Sequence, residues 1–444
     1  MATETIAAVA TPRGIGGVGI VRVSGPLART TAEAILGRVP RPRHATFASF
    51  HSADGSSLDE GIALLFPAPR SFTGEDVLEL QGHGGPLVLD LVLQRCLELG
   101  ARLARPGEFS ERAFLNGKLD LTQAEAVADL IESSTALGAR LAMRSLQGVF
   151  SRRVTALTEG LIHLRTYLEA TLDFPDDELD LQVEPAVAGD LDDLIAQTRE
   201  LLAEAHQGER IRDGFTIAIA GPPNAGKSSL LNALSRADTA IVTPIPGTTR
   251  DLLRVDVQVD GLPVRLVDTA GLRASQDPVE REGVRRARDQ IARSDLVLWV
   301  YDATQGLDPS ERSDIPPGVP LTLIRNKVDL LEEAGNRDGP EGDEIALSAL
   351  TGAGLDRLRR HIRIRAGVES MGEGAFVARR RHLEALERGL AHLDMARRAL
   401  QTGAGPELIA LDLLVSQQAF GEITGVFTPD DLLGRIFASF CIGK

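Results

Sequence analysis

This chain has little that would staple, span or stack. Two cysteines, Cys96 and Cys441, in 444 residues exclude a disulfide framework and fit a reducing cytosol. The most apolar runs, Leu87–Leu93 and Leu296–Val300, fall far short of the ~20 residues that cross a bilayer. The opening Met1-Ala-Thr-Glu-Thr-Ile has an acid where a signal peptide needs a basic region, and it lacks the arginines of a transit peptide. The expected location is therefore cytoplasmic, with no membrane partner. The terminal Cys441-Ile-Gly-Lys444 is a poor prenylation box, because Gly443 is not aliphatic and Lys444 is not a usual last residue. Aromatics are few, with 14 Phe, 2 Tyr and 1 Trp, too few for the stacking platforms that grip single-stranded nucleic acid. Bases are outnumbered 48 to 63, a formal charge of −15, which argues against a surface built throughout to hold polyphosphate.

What is present is an ordinary globular composition, 43% hydrophobic and 25% charged, which excludes a disordered or fibrous chain. At ~100–200 residues per domain the length implies two to four domains. Residues 1–118 mix β-type runs (Ile6–Ala10, Val18–Val23, Glu60–Phe66) with a helical pattern over Pro86–Leu99, an α+β domain. Leu121–Leu172 has apolar spacings of three and four, predicting long helices with Gly138, Gly148 and Gly160 as weak points. Asp173–Asp193 carries nine acids and no base, predicting an exposed turn and then a helix over about 190–208.

From Gly214 the pattern alternates strands and helices. Phe215–Ala220, Leu253–Val259, Val264–Val267, Leu296–Tyr301, Leu321–Arg325 and Ile345–Leu347 read as strands. Asp260-Gly261 signals a hairpin, hence one antiparallel pair in an otherwise parallel sheet. Helical periodicity returns after about residue 366. The expected fold class is multidomain α/β plus α: residues 1–118, a discontinuous helical domain from 119–212 and 369–444, and an inserted Ras-like P-loop domain over 213–368.

The strongest chemical signal is Gly221-Pro-Pro-Asn-Ala-Gly226-Lys227-Ser228, after an apolar strand and opening a helix near Ser229. It is the full phosphate-loop pattern in its required setting. The backbone around Asn224, Ala225 and Gly226 turns N–H groups inward, Lys227 reaches the terminal phosphates, and the Ser228 hydroxyl can ligate Mg²⁺. Asp268-Thr-Ala-Gly271 ends a strand where a carboxylate can hold Mg²⁺ through water and the Gly271 N–H can meet a γ-phosphate. In Asn326-Lys327-Val-Asp329 the Asp329 carboxylate can accept from guanine N1–H and the exocyclic amine together, which selects GTP over ATP. Ser348-Ala349-Leu350 stands at the spacing of a loop under the base. Together, in this order, these motifs point to a Ras-like GTPase. Gly247-Thr-Thr-Arg-Asp251 is the candidate first switch, with Thr249 meeting Mg²⁺. Leu272 stands where Ras-type enzymes carry a water-orienting Gln. Catalysis must therefore be organised otherwise: Glu280 either orients water or only solvates a helix start, Asn224 can help hold a cation, and Arg250 and Arg273 are rival charge sources.

These motifs, with Ser71-Phe-Thr-Gly-Glu-Asp76, Leu80-Gln-Gly-His-Gly-Gly85, Asn116-Gly-Lys-Leu-Asp-Leu121 and the terminal Phe440-Cys-Ile-Gly-Lys444, resemble the MnmE (TrmE) tRNA-modification GTPases over the whole chain. The resemblance implies a folate-binding and dimerising N-terminal domain, a helical domain and an inserted GTPase. It implies K⁺ at the arginine-finger position, held by Asn224, Thr243, Ile245 and Thr248, with Glu280 organising water and Lys227 and Thr249 beside it in catalysis. It implies a folate site at Arg22, Glu79, Lys118 and Lys444, where a cation can pair with the folate glutamate tail and Glu79 can accept from pterin N–H groups. The implied donor is 5,10-methylene-tetrahydrofolate, with 5-formyl-tetrahydrofolate as an analogue. The implied partner is an FAD-dependent MnmG-type protein, in a heterotetramer built on a homodimer. Together they would install an aminomethyl or carboxymethylaminomethyl group at C5 of wobble uridine. With a charge of −15, this chain alone should bind tRNA weakly, most RNA-gripping surface belonging to the partner.

Two lesser signals carry no chemistry. Gly14-Ile-Gly-Gly-Val-Gly19 matches a dinucleotide fingerprint but leads into a strand, and His83 has no His or Cys at ligand spacing. Both read as glycine turns. The resemblance puts Cys441 close to the folate site, where it is either a nucleophile or, the reading its chemistry favours, a small thiol packed in an apolar tail. A ribosome-assembly switch would append a basic RNA module and a membrane-remodelling GTPase a basic amphipathic anchor; neither is evident.

Overall fold

The structure is a computed structural model that describes residues 4–12, 14–173, 183–237, 254–268, 288–307, 315, 318–331, 344–368, 374–427, 430–441 and 443. Its contacts divide the chain into two units, one of residues 1–128, 145–195 and 388–444, the other of 129–144 and 196–387. No helix among the described residues is long and apolar enough to cross a membrane.

The first unit begins with β1 (Ile6–Val9), β2 (Gly16–Ser24), α1 (Ala28–Leu36), β3 (Thr46–His51), β4 (Ser57–Phe66), β5 (Val77–Gly84), α2 (Pro86–Glu98), β6 (Arg102–Leu103) and α3 (Glu108–Leu115). The strands form one sheet in the order β3-β4-β5-β2-β1-β6, antiparallel except for the β1–β6 pair. Strand alternation gives the sheet two distinct faces. Val21, Val23, Leu78 and Leu80 pack with Ala32, Ile35, Val92 and Cys96 of α1 and α2. Ile6 and Ala8 point to the opposite face, with Phe109 of α3.

The glycines read above as turns lie mostly within β2 and β5, because their role is close approach. A Cβ on Gly84 would stand 2.5 Å from the Gly16 carbonyl oxygen, one on Gly19 would strike Leu89, and one on Gly82 would strike the Asp59 carboxylate. The register shifts between Gly16 and Gly19, a bulge that the missing side chains permit.

The helices follow as α4 (Leu121–Glu132), α5 (Ala136–Leu146), α6 (Val149–Asp173) and α7 (Val183–Asp213). The Asp120 carboxylate accepts the Gln123 N–H while Gln123 accepts the Asp120 N–H, a capping box that starts α4. Of the glycines expected to weaken this region, only Gly148, at φ +80°, ends a helix. The other break falls at residues 133–135, where Ser133 donates to the Asp129 carbonyl and Thr135 accepts the Gly138 N–H. Hydroxyls that compete for backbone bonds end α4 and cap α5 there. The helix expected from about 190 to 208 runs from Val183 to Asp213 and stops at Gly214, at φ +85°.

The second unit holds β7 (Phe215–Ala220), α8 (Lys227–Ala237), β8 (Arg254–Val259), β9 (Leu262–Asp268), β10 (Leu296–Asp302), β11 (Leu321–Asn326), β12 (Glu344–Ala346) and α9 (Leu355–Arg365). The sheet order is β12-β11-β10-β7-β9-β8, parallel except for the β8–β9 hairpin. Asp260 and Gly261, at φ +47° and +88°, make the turn the sequence signalled. Every residue of β10 is buried, as a central strand requires, with Leu298 and Val300 on one face and Val297 and Trp299 on the other. The chain closes with α10 (Arg380–Gln401), α11 (Pro406–Thr424) and α12 (Asp430–Ala438). In the first unit α6 packs on α11, and Arg165 donates to Gln417 at 2.6 Å. Helical segments from before and after the insert thus pack together.

Candidate functional site

In the second unit the carboxyl ends of β7, β10, β11 and β12 lie at one edge of the sheet, and β7 sits where the strand order reverses, the usual ligand crevice of an open α/β sheet. The phosphate-loop motif follows β7. A Cβ on Gly221 would stand 2.0 Å from the Val300 carbonyl oxygen, so only glycine lets the loop leave between β7 and β10. Asn224 and Gly226 take positive φ, +61° and +94°, and this curls the chain back over the start of α8. The first-turn N–H groups of α8, at Ser228 and Ser229, have no acceptor within the helix and face the loop with its positive dipole end. Lys227 Nζ donates to the Gly221 and Pro222 carbonyls at 2.9 and 2.8 Å. Ser228, Ser229 and the Asn224 side chain are exposed.

Asn326, at the end of β11 and 2% exposed, joins two loops. Its amide donates to the Ala225 carbonyl at 2.8 Å, and its oxygen accepts the Ala349 N–H at 3.0 Å. The loop that ends in Ser348-Ala349-Leu350 is thereby tied to the phosphate loop. The Ser348 hydroxyl accepts the Thr351 N–H at 3.1 Å, while Leu350 is 85% exposed. Lys327, at φ +64°, reaches Asp302 at the end of β10, 2.7 Å away. The Lys327 ammonium holds the Asp302 carboxyl down to about 2. Asp329 is exposed in the single turn Val328–Leu330, where an incoming base can meet it. Sequence reasoning missed Asp302, although its place directly after the six apolar residues Leu296–Tyr301 was a usable signal. Asp268 ends β9. Thr243, Ile245, Thr248, Thr249, Arg250, Gly271, Leu272, Arg273 and Glu280 lie outside the described residues.

The first unit brings Arg22 and Glu79 together as partners across β2 and β5. The guanidinium meets Glu79 Oε1 at 2.9 and 3.0 Å, its Nη1 donates to the Gly443 carbonyl at 3.3 Å, and Phe72 and Phe109 lie against it at 5.8 and 5.7 Å. The sequence reading gave the two residues separate ligand groups; the structure pairs them, with 21% and 14% of their side chains exposed. The 71–76 loop and the 116–118 turn also meet, since Asn116 donates to the Thr73 carbonyl at 2.7 Å and Lys118 to the Pro69 carbonyl at 3.1 Å. Gly443, at φ +96°, is pressed on β1, where a Cβ would stand 2.4 Å from the Val9 carbonyl oxygen. The tail motif therefore reaches Arg22. Lys444 lies outside the described residues. Cys441 is exposed, so the packed-thiol expectation fails: its neighbours Phe437 and Phe440 take the apolar positions.

Supporting residues unread in the sequence lie behind this face. Glu108 is buried between Arg102, at 2.6 Å, and Arg112, at 3.1 Å. Arg112 continues to Glu75, which accepts from Ser24 at 2.7 Å. Burial opposes ionisation of Glu108, but Arg102, the Arg105 N–H and Arg112 outweigh it and hold the carboxyl at about 2. His83 pairs with Asp59 at 2.6 Å and its pKa is raised by that bond.

Comparison with known proteins matches the family model of the TrmE N-terminus, a GTP-binding protein, at residues 5–118 and that of the MnmE helical domain at 121–441. The tRNA modification GTPase MnmE of Pseudomonas syringae pv. tomato is 58% identical over 451 residues, covering 99% of each chain. Its namesakes are similar at 57% in Pseudomonas aeruginosa UCBPP-PA14 and 56% in Stutzerimonas stutzeri, over 100% of this chain and 99% of each of theirs. With two adjoining family models and full-length relatives in agreement with the sheet edge described above, this chain belongs to the MnmE (TrmE) family of tRNA modification GTPases.

Proposed function

We propose that the chain hydrolyses GTP and acts in tRNA modification at C5 of wobble uridine, with an FAD-dependent MnmG-type partner and a methylene-tetrahydrofolate donor. The observation that carries the GTPase reading is the pair of hydrogen bonds made by the Asn326 side chain, one to each loop, which ties the phosphate loop to the loop that would lie under the base. In this reading Lys227 exchanges its two loop carbonyls for β- and γ-phosphate oxygens, and the N–H groups at the start of α8 hold the phosphates. Ser228 and Thr249 hold Mg²⁺, which neutralises charge on the phosphates. Asp329 reads guanine, with Ala349 and Leu350 beside the base. Asn224, Thr243, Ile245 and Thr248 would hold K⁺, which would supply the positive charge of an arginine finger, and Glu280 would orient water. The exposed Asn224 side chain at the loop's rim fits a cation ligand.

For the folate, the partly open Arg22–Glu79 pair between Phe72 and Phe109 fits a flat, polar-edged ring with an anionic tail. Arg22 and Glu79 orient the ligand, and Lys118 and Lys444 add charge. When bound, the folate supplies the one-carbon unit. The domains are assigned as 1–118 for folate binding and homodimerisation, 119–212 with 369–444 as the helical domain, and 213–368 for GTP. The protein is placed in the cytoplasm, in a heterotetramer with its partner, through which most tRNA contact runs.

Hydrolysis by the purified chain in KCl and in NaCl tests the nucleotide part: faster GTP turnover in KCl is expected, and equal rates would overturn the cation assignment. Calorimetry with 5-formyl-tetrahydrofolate tests the other part. Heat of binding that disappears in Arg22→Ala is expected, and no binding would favour a switch without modification chemistry.

A further inference from the structure

Asp129, near the end of α4, lies outside both sites and is engaged by two arginines. Its side chain is 6% exposed. Arg212 Nε meets Oδ1 at 2.8 Å, and Arg379 meets Oδ1 at 2.7 Å and Oδ2 at 3.4 Å. The positions of the two arginines carry the argument. Arg212 is the next-to-last residue of α7, directly before Gly214 and β7, the strand that leads into the phosphate loop. Arg379 directly precedes α10, where the chain has left the nucleotide-binding segment, and its N–H is capped by His382 Nδ1 at 3.0 Å.

The outgoing segment is also laid on α7. A Cβ on Gly208 would stand 2.3 Å from the Phe376 carbonyl oxygen and 3.0 Å from the Ala378 nitrogen, and Gly367 at φ +78° lies against Gln207. Beside the carboxylate is a cavity of about 490 Å³ lined by Thr135, Arg212, Pro263 and Arg265. The ion pairs therefore stand at the edge of a polar cavity. Burial alone would lower the pKa of Arg212, yet the Asp129 charge raises it.

We propose that Asp129 is a positioning residue that clamps the entry and exit of the nucleotide-binding segment to the end of α4, and so passes nucleotide-driven movement into α4, α7 and α10. One carboxylate thus addresses the end of α4, the end of α7 and the residue before α10. This inference rests on the proposed GTPase reading and goes beyond it, because it separates coupling from hydrolysis.

The test uses the full chain carrying Asp129→Asn, which keeps the shape and removes the charge. GTP hydrolysis by the purified protein should stay within about threefold of the parent, while wobble-uridine modification in cells holding only the variant falls about tenfold or more, the span of a typical coupling energy. Arg379→Gln, which leaves Arg212 on the carboxylate, should act in the same direction and serves if Asp129→Asn does not fold. Unchanged modification would overturn the proposal, as would losses of hydrolysis and modification in equal proportion. A parent chain that neither hydrolyses GTP nor supports modification would instead defeat the underlying reading.

Discussion

Asn326→Ala tests the link between the two nucleotide loops. The side chain is 2% exposed and makes two backbone bonds, to the Ala225 carbonyl at 2.8 Å and from the Ala349 N–H at 3.0 Å. Each such bond contributes about 0.5–1.5 kcal/mol net, so the pair is worth about 1–3 kcal/mol. Those bonds hold together the loop that would take the phosphates and the loop that would take the base. Their loss should therefore appear in nucleotide affinity, as a Kd raised about five- to 150-fold, since about 1.4 kcal/mol is tenfold. The assay is titration of the full chain with a fluorescent GDP. A parallel denaturation is followed through Trp299, the single tryptophan, 3% exposed on the central strand of the same unit. An affinity within twofold of the parent, with the Trp299 transition lowered, would refute the reasoning: Asn326 would then support the fold alone.

Glu108→Gln should destabilise the first unit in a pH-dependent way. The folded carboxyl lies at about 2 against the ordinary 4.5, so its contribution is complete above pH 4.5 and is lost as pH falls through about 2. That gap is worth about 3 kcal/mol at 1.36 kcal/mol per pH unit. Urea transitions should show the variant weaker by that amount at pH 7 and nearly equal at pH 2; a deficit that persists at pH 2 would contradict it. Asp329→Asn should lose GTP in competition assays and gain xanthosine triphosphate, whose carbonyl at C2 accepts from the new amide; retained guanine preference would remove Asp329 from the base site. Gly443→Ala puts a Cβ against the Val9 carbonyl oxygen at a φ of +96°, so it should lift the tail from Arg22 and weaken 5-formyl-tetrahydrofolate in calorimetry, whereas unchanged binding would show that the tail is not part of that site.

What the sequence made legible was local. The phosphate loop, the Asp260-Gly261 turn and the apolar strand β10 depend on nearby residues and dihedral preference, and the structure has each of them. The helix break at Ser133–Thr135 was missed because hydroxyls compete quietly for backbone bonds, whereas glycines catch the eye. The glycines of β2 and β5 were misread as turns because close approach between strands is a tertiary fact. At the candidate folate face, the likeness named Arg22 and Glu79, but their pairing follows from the β2–β5 register. Asp302 and Asp129 were invisible for the same reason: their partners lie 25 and 83 to 250 residues away in the chain and meet only in the fold.

The central claim, a GTPase of tRNA modification, is tested most directly by mass spectrometry of wobble-uridine nucleosides from cells lacking this gene and from the same cells given back the chain or its Lys227→Ala variant. The account predicts that the aminomethyl-type modification at C5 disappears on deletion, returns with the parent chain and does not return with Lys227→Ala. Unchanged nucleosides in the deletion would contradict it.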